Sequence, residues 1–279
     1  MHRQEVRMQP KPELYSSHYA EWFKDPDVIA AYPSRPPYAR ATIEFLSELA
    51  TDHPQRVLDI GCGTGDIARR LAPLVERVDA VDFSAGMIEA GRELPGGGAS
   101  NARWIIGKVE DAPLEPPYAL VTAGESLHWM DWEIVLPRLA DVLSRNGFVA
   151  IVGRDWEGLP AVRARIRPVL MRYSAVRVWQ DVNLLTELQN RGLFTLTGTR
   201  RFGPELWEPS VEQYLESRHS QRSFARSAMG ETAARAFDAE LRRVLTELCS
   251  NGEIRCLSDR LQLSVETSVA WGRPRRTRR

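Results

Sequence analysis

VLDIGCGTGD, residues 57–66, decides the fold. Val57 to Ile60 is a short apolar run of strand type, and Gly61, Gly63 and Gly65 follow it at once, before the helix-compatible DIARRLAPLVE (66–76). Glycine allows a sharp turn and lets a ligand approach the backbone with no side chain in the way. The next apolar run, VDAVD, ends on Asp82, 21 residues after Gly61, about the distance at which a carboxylate grips ribose hydroxyls. Asp82 could instead cap the helical stretch SAGMIEAGREL, but Ser84 is better placed for that. A dinucleotide fingerprint needs a third glycine at position 66, where this chain has Asp66, so a pyrophosphate would meet a carboxylate. A nucleoside with an uncharged linker fits better than NAD, and Asp59 suits a cationic amino-acid portion.

Outward from this loop, RVLDI (56–60), RVDAVD (77–82), RWIIG (103–107), YALVTA (118–123) and GFVAIVG (147–153) alternate with helical patterns. This rhythm marks βαβ units and a parallel sheet covered on both faces. Past residue 155 the rhythm breaks. Helical patterns fill about 160–191 and 210–249, with a strand-like LFTLTGTRRF (193–202) between them and LQLSVETSVAWG (261–272) near the end. The reading is a sheet completed late in the chain, with a helical insertion over one edge.

The 279 residues carry 37 basic and 37 acidic side chains, and all but three of the basic ones are arginines. No global field steers the chain toward nucleic acid or a membrane. No apolar run approaches spanning length and the first residues are charged and proline-rich, so a cytoplasmic protein is expected. Cys62, Cys249 and Cys256 are odd in number and lack paired spacing, which argues against a disulfide framework or a zinc site. Residues 1–14 and the arginine-rich end, 273–279, read as disordered.

Taken together, DIGCGTG, VDAVDFSAGMIEAGR, GKVEDAPLEPPYALVTAGESLHWMDW and LSRNGFVAIVG resemble the class I S-adenosylmethionine-dependent methyltransferases. The likeness is to the small-molecule branch with a His-Trp pair after the fourth strand, and it is strong over about 30–153. It implies an α/β, Rossmann-like, doubly wound, seven-stranded sheet, mostly parallel with the last strand antiparallel. A lid over 15–50, a cofactor core over 51–155 and a substrate-covering insertion within 156–272 follow from it. Carried over, Asp59 and the backbone of Gly61, Cys62, Gly63 and Gly65 would hold the methionine part of S-adenosylmethionine, and Asp82 the ribose. Phe83 and Met87 would flank the adenine, with Val109 and Glu110 at its edge; Lys108 departs from the pattern. Tyr32 and Arg35, in YPSRPP, resemble a lid segment, where Arg35 could pair with the cofactor carboxylate or merely stack in a proline-rich turn.

Methyl transfer from a sulfonium rests mostly on alignment, and a base helps only when the acceptor must lose a proton. Gly124 should lie beside the sulfonium, leaving Glu125, His128 and Trp129 as the first residues to see an acceptor. His128 has the intrinsic pKa of a general base, though it could equally shape the wall; Glu125 could be a second base or an anchor. Trp129 reads as an apolar pocket side, and His219, Tyr173 and Trp179 on the insertion as possible lining residues. Pro137 implies a kink, or a late start, in the helix after Asp131. A small-molecule acceptor is favoured over nucleic acid, because EPPY (115–118) leads into the fourth strand instead of following it. A protein that binds the cofactor without transferring methyl is a further alternative.

Overall fold

In the computed structural model, residues 11–156, 160–176 and 182–276 are described. Trp179 and the first ten and last three residues lie outside that set. The strands are β1 (Arg56–Ile60), β2 (Arg77–Asp82), β3 (Ala102–Ile106), β4 (Tyr118–Gly124), β5 (Leu143–Asp155), β6 (Phe194–Trp207), β7 (Arg255–Leu257) and β8 (Arg260–Pro274). Seven of them form one sheet in the order β3-β2-β1-β4-β5-β8-β6, and short β7 pairs beside β8. β1 to β5 pair in parallel, and β8 inserts antiparallel between β5 and β6. The order reverses between β1 and β4, and such a switch point opens a crevice at the strands' carboxyl ends.

Side chains of β1 alternate between two apolar layers. Val57 joins Ile43, Leu46 and Leu71 on one face, while Leu58 and Ile60 join Val135, Leu136 and Leu139 on the other. The covering helices are α1 (Pro26–Ala31), α2 (Arg40–Leu49), α3 (Asp66–Leu71), α4 (Ala85–Glu93) and α5 (Trp132–Val142). Ser84 Oγ accepts the Met87 N–H at 3.3 Å and so caps α4, which leaves Asp82 for other work. Asp131 caps α5, which starts where its apolar pattern starts and carries Pro137 within it; the expectation of a late start was wrong.

The insertion holds α6 (Pro160–Tyr173), α7 (Leu184–Asn190), α8 (Val211–His219), α9 (Arg226–Met229) and α10 (Glu231–Ser250). α6, α8 and α10 build a second core around Ile166, Tyr214, Phe237 and Leu245. β8 ties the two cores together: Leu261, Leu263 and Val265 serve the insertion, and Val269 the main sheet.

Three expectations need correction. Cys249, on the last turn of α10, and Cys256, on β7, form a disulfide with Cα atoms 5.7 Å apart. The turn after α10 folds the chain back and brings them together, which spacing alone did not reveal. Residues 11–14 are ordered, for Lys11 Nζ donates to the Met130 carbonyl at 2.9 Å and Glu13 starts a 3₁₀ turn. Arg273 and Pro274 belong to β8, and the Arg275 N–H donates to the Leu193 carbonyl.

Candidate active site

Two adjoining cavities occupy the crevice at the carboxyl ends of β1, β2 and β4. The first, about 400 Å³, is bordered by Asp82, Phe83, Met87, Val109, Trp129 and Phe23 among others. The second, about 270 Å³, is bordered by Asp59, Cys62, Thr64, Asp66, Arg35 and Arg154 among others. Tyr32, Gly61 and Gly124 border both.

The glycine-rich loop makes the junction. Gly61 and Gly63 have φ near +59° and +56°, the left-handed region that a side chain resists. A Cβ on Gly61 would lie 2.5 Å from Ser126 Cβ, and one on Gly63 would lie 3.1 Å from the Tyr32 hydroxyl. Asp82 fixes the loop from below, accepting the Gly63 N–H on Oδ2 and the Ser84 N–H on Oδ1, both at 2.8 Å. Burial raises its pKa to about 6. Asp59 lies deeper, accepting the Thr122 hydroxyl at 2.7 Å, and burial raises its pKa to about 7. Both carboxyls can therefore shed their protons near neutrality when a cation or hydroxyl donor arrives.

Around this junction the sequence-predicted residues separate. Phe83, Met87, Val109, Glu110, Glu125 and Trp129 border the first cavity, and Cys62 the second. Gly124 is there too, but the space a side chain would take is filled by Ile67 Cδ1 and the Tyr38 hydroxyl, each 2.7 Å from an added Cβ. A side chain there would have to displace those two side-chain ends, whatever ligand is bound.

His128 is turned away. It borders neither cavity, and its ring packs against Tyr15 and Trp129 with centroids 5.2 and 4.3 Å apart. Burial pushes its pKa down to about 3, so the imidazole is neutral and weakly basic. Glu125 is not poised as a base either. It sits at φ +52°, and Arg154 Nη2 and Nε donate to its Oε2 at 2.8 and 3.2 Å, with Arg35 Nη1 4.0 Å away. Burial would raise its pKa, but the two guanidiniums outweigh burial and hold the carboxyl below its usual value.

Arg35 itself is spent on the protein. It stacks on Tyr32 at 4.1 Å and donates to Ser220 Oγ and the Ser220 carbonyl at 2.8 and 2.6 Å, latching the lid to the insertion. His219 is a structural residue, not a lining one. It is 1% exposed, with Nδ1 2.7 Å from the Phe224 carbonyl and Nε2 2.7 Å from Asp238. Tyr173 packs on Phe237 inside the insertion. Asp66, at the border of the second cavity, accepts the Tyr38 N–H at 3.1 Å and lies 3.7 Å from Arg154.

The residue most clearly missed from sequence is Arg154. It directly follows the buried GFVAIVG run, and a charge at the carboxyl end of such a strand was a usable signal. Phe23 and Tyr38, from the segment before β1, carried no comparable mark.

Comparison with known proteins agrees with this architecture. Residues 57–147 match a family model described as a methyltransferase domain. The fold is a Rossmann-like methyltransferase fold, and residues 57–147 are the stretch that matches the methyltransferase domain. Among named relatives, trans-aconitate 2-methyltransferase of Pseudomonas paraeruginosa is 33% identical over 121 residues, 42% of either chain. The Mycobacterium tuberculosis protein of the same name is 30% identical over 165 residues, 57% of this chain and 58% of that one. The chain thus spans between about two fifths and three fifths of the length of these relatives. A solved chain from Anaeromyxobacter dehalogenans, provisionally named a type II methyltransferase, superposes with TM-score 0.60 at 22% identity. That superposition covers 86% of this chain and 97% of the other, so the likeness in fold extends well beyond residues 57–147.

Proposed function

We propose that the protein is an S-adenosylmethionine-dependent methyltransferase acting on a small-molecule acceptor. The observation that carries this reading is the pair of cavities meeting at Gly61 and Gly124 over the switch point, one with Asp82 at its wall and one with Asp59. Their shapes and donors suit the cofactor. Asp82 would accept the ribose hydroxyls, with Phe83 and Met87 beside the adenine and Val109 and Glu110 at its edge. Asp59 and the backbone from Gly61 to Gly65 would receive the amino-acid end, its ammonium toward Asp59 and its carboxylate toward the Arg154 guanidinium. When bound, the cofactor supplies an electrophilic methyl group on a positively charged sulfur.

What the chain contributes is alignment and exclusion of water by Tyr32, Phe23 and Trp129. Neither of the expected proton acceptors is poised for that work: His128 faces away with a pKa of about 3, and Glu125 is tied to Arg154. The acceptor therefore brings an atom that is nucleophilic as it stands, which favours an ionised oxygen such as a carboxylate over a neutral amine or alcohol. Relatives named for trans-aconitate and for the malonyl-acyl carrier protein support the same chemical class. A cytoplasmic setting belongs to this proposal; among the described residues, no helix is long and apolar enough to cross a membrane.

The test uses cofactor with a labelled methyl group and a panel of carboxylic acids, phenols and amines, with transfer RNA as control. Transfer to an acid is expected, and transfer to nucleic acid alone would overturn the reading. In calorimetry, Asp82→Ala should weaken cofactor binding by roughly 1–3 kcal/mol, the cost of leaving buried polar groups unpaired. An unchanged affinity would remove the ribose assignment.

A further inference from the structure

Two tyrosine hydroxyls sit where the cavities meet. Tyr38 is 3% exposed and borders the second cavity, with its hydroxyl 2.7 Å from the place of a Cβ on Gly124. Its hydrogen bonds run through the backbone, the N–H donating to Asp66 and the carbonyl accepting from Arg70. Tyr32 borders both cavities, its hydroxyl 3.1 Å from an added Cβ on Gly63, and its carbonyl accepts the Arg35 N–H. Among the described residues, neither phenol oxygen has a hydrogen-bond partner. The nearby carboxyls are taken up elsewhere: Asp59 by the Thr122 hydroxyl, Asp66 by the Tyr38 N–H, Asp82 by the Gly63 and Ser84 N–H groups, and Glu125 by Arg154. A buried O–H with no acceptor is costly, and one aimed into a cavity marks a place for a ligand.

Each of these rings lies on a guanidinium. Arg35 Cζ is 4.1 Å from the Tyr32 centroid, and Arg154 Cζ is 4.1 Å from that of Tyr38. Burial raises the pKa of both phenols against the pull of these arginines, so both keep their protons near neutrality and act as donors. The arginines themselves are engaged with the protein, Arg35 with Ser220 and Arg154 with Glu125 and the Pro36 carbonyl. Their charge reaches the cavity through the phenols, polarising each O–H toward an anionic acceptor.

We propose that the hydroxyls of Tyr32 and Tyr38 form a carboxylate-binding pair at the neck between the cavities, with Arg35 and Arg154 acting through them as positioning residues. This rests on the methyltransferase reading above and deepens it. The carboxylate is that of the cofactor's amino-acid end, because Tyr38 borders the second cavity and not the first, and Asp59 in the same cavity suits the ammonium. A carboxylic acid acceptor offers the same chemistry, and the experiment separates the two sources. Two donors on one carboxylate fix the torsions of the methionyl chain and so the direction of the S–CH₃ bond. Alignment of that bond is the main requirement of methyl transfer.

The experiment measures, by calorimetry, binding of S-adenosylmethionine and of its decarboxylated analogue, which keeps the sulfonium and the ammonium and lacks the carboxylate. The unmutated protein should bind S-adenosylmethionine more tightly, by about tenfold or more. Tyr38→Phe keeps the ring on Arg154 and removes the hydroxyl. It should weaken S-adenosylmethionine by about five- to tenfold and leave the analogue unchanged, and adding Tyr32→Phe should narrow the gap further. A purely structural role would weaken both ligands alike. A second arm titrates small carboxylic acids into protein loaded with S-adenosylhomocysteine. Loss of acid binding in Tyr38→Phe, with S-adenosylhomocysteine affinity intact, would assign the pair to the carboxylate of the acceptor. If S-adenosylmethionine binds but the variants move neither its ratio to the analogue nor acid binding, this inference alone is overturned. If the unmutated protein binds neither nucleoside, the methyltransferase reading falls and takes the inference with it.

Discussion

His128 brings a neutral, half-buried imidazole to the edge of the site, and its value lies in shape. Wedged between Tyr15 and Trp129, it sets the tilt of the indole that borders the first cavity. A ring with a pKa of about 3 has lost most of the driving force for taking a proton at neutral pH. His128→Phe should therefore keep turnover within about threefold of the parent, with no limb near pH 6.5 in the rate profile; a general base would cost ~10²–10⁴-fold. Stopped assays across pH 5–8 decide it, and a loss of a hundredfold would restore the base. Asp82 shows the reverse case. Its residue type and its distance from Gly61 were legible because the loop and the next strand end are neighbours across the β1–β2 ladder. Sequence left His128 open between base and wall, because it gives the residue type beside the fourth strand and not the direction in which a 3₁₀ turn, Leu127–Trp129, throws the ring.

At the scale of elements, the lid and the insertion behave as one cover. Tyr32 rests on the glycine loop, Arg35 joins it to Ser220 at the end of α8, and His219 joins α8 to Asp238 on α10. Arg35→Met should unfasten this cover, speeding cofactor release and costing roughly 1–3 kcal/mol of stability through the acceptors left unpaired on Ser220. Stopped-flow tryptophan fluorescence and urea denaturation measure the two effects. A slower release would contradict the latch. These links explain why the sheet was readable and the cover was not. Parallel strands buried on both faces write themselves as apolar runs, and RVLDI and RVDAVD became β1 and β2 with no residue displaced. The cover is held by pairs far apart in sequence, Arg35 with Ser220 and Arg154 with the Pro36 carbonyl, and side-chain type does not reveal such partners.

For the molecule as a whole, the site is carried at a cost that pH exposes. Asp59 and Asp82 are buried carboxyls whose pKa values rise from 3.8 to about 7 and about 6. The unfolded chain sheds these protons near pH 4, whereas the folded chain keeps them until pH 6–7. Over that window the folded state binds more protons, so the contribution of these two groups to stability falls as pH rises, and it levels off above about pH 7. Acids held below their usual values, Glu125 among them, contribute in the opposite sense at lower pH. Comparison with a variant isolates one group. Asp59→Asn keeps an acceptor for the Thr122 hydroxyl and removes the titration. Its stability gain over the parent should grow by roughly 2–3 kcal/mol from pH 5 to pH 8, given about 1.4 kcal/mol per unit of pKa shift. Urea denaturation at the two pH values reads the difference, and an equal gain at both would show that ionisation of Asp59 is not its source. The same variant should bind S-adenosylmethionine more weakly at pH 8, because the cationic end of the cofactor would have stabilised the ionised Asp59. Stability gained with affinity lost is the pattern expected of a strained carboxylate kept for its ligand.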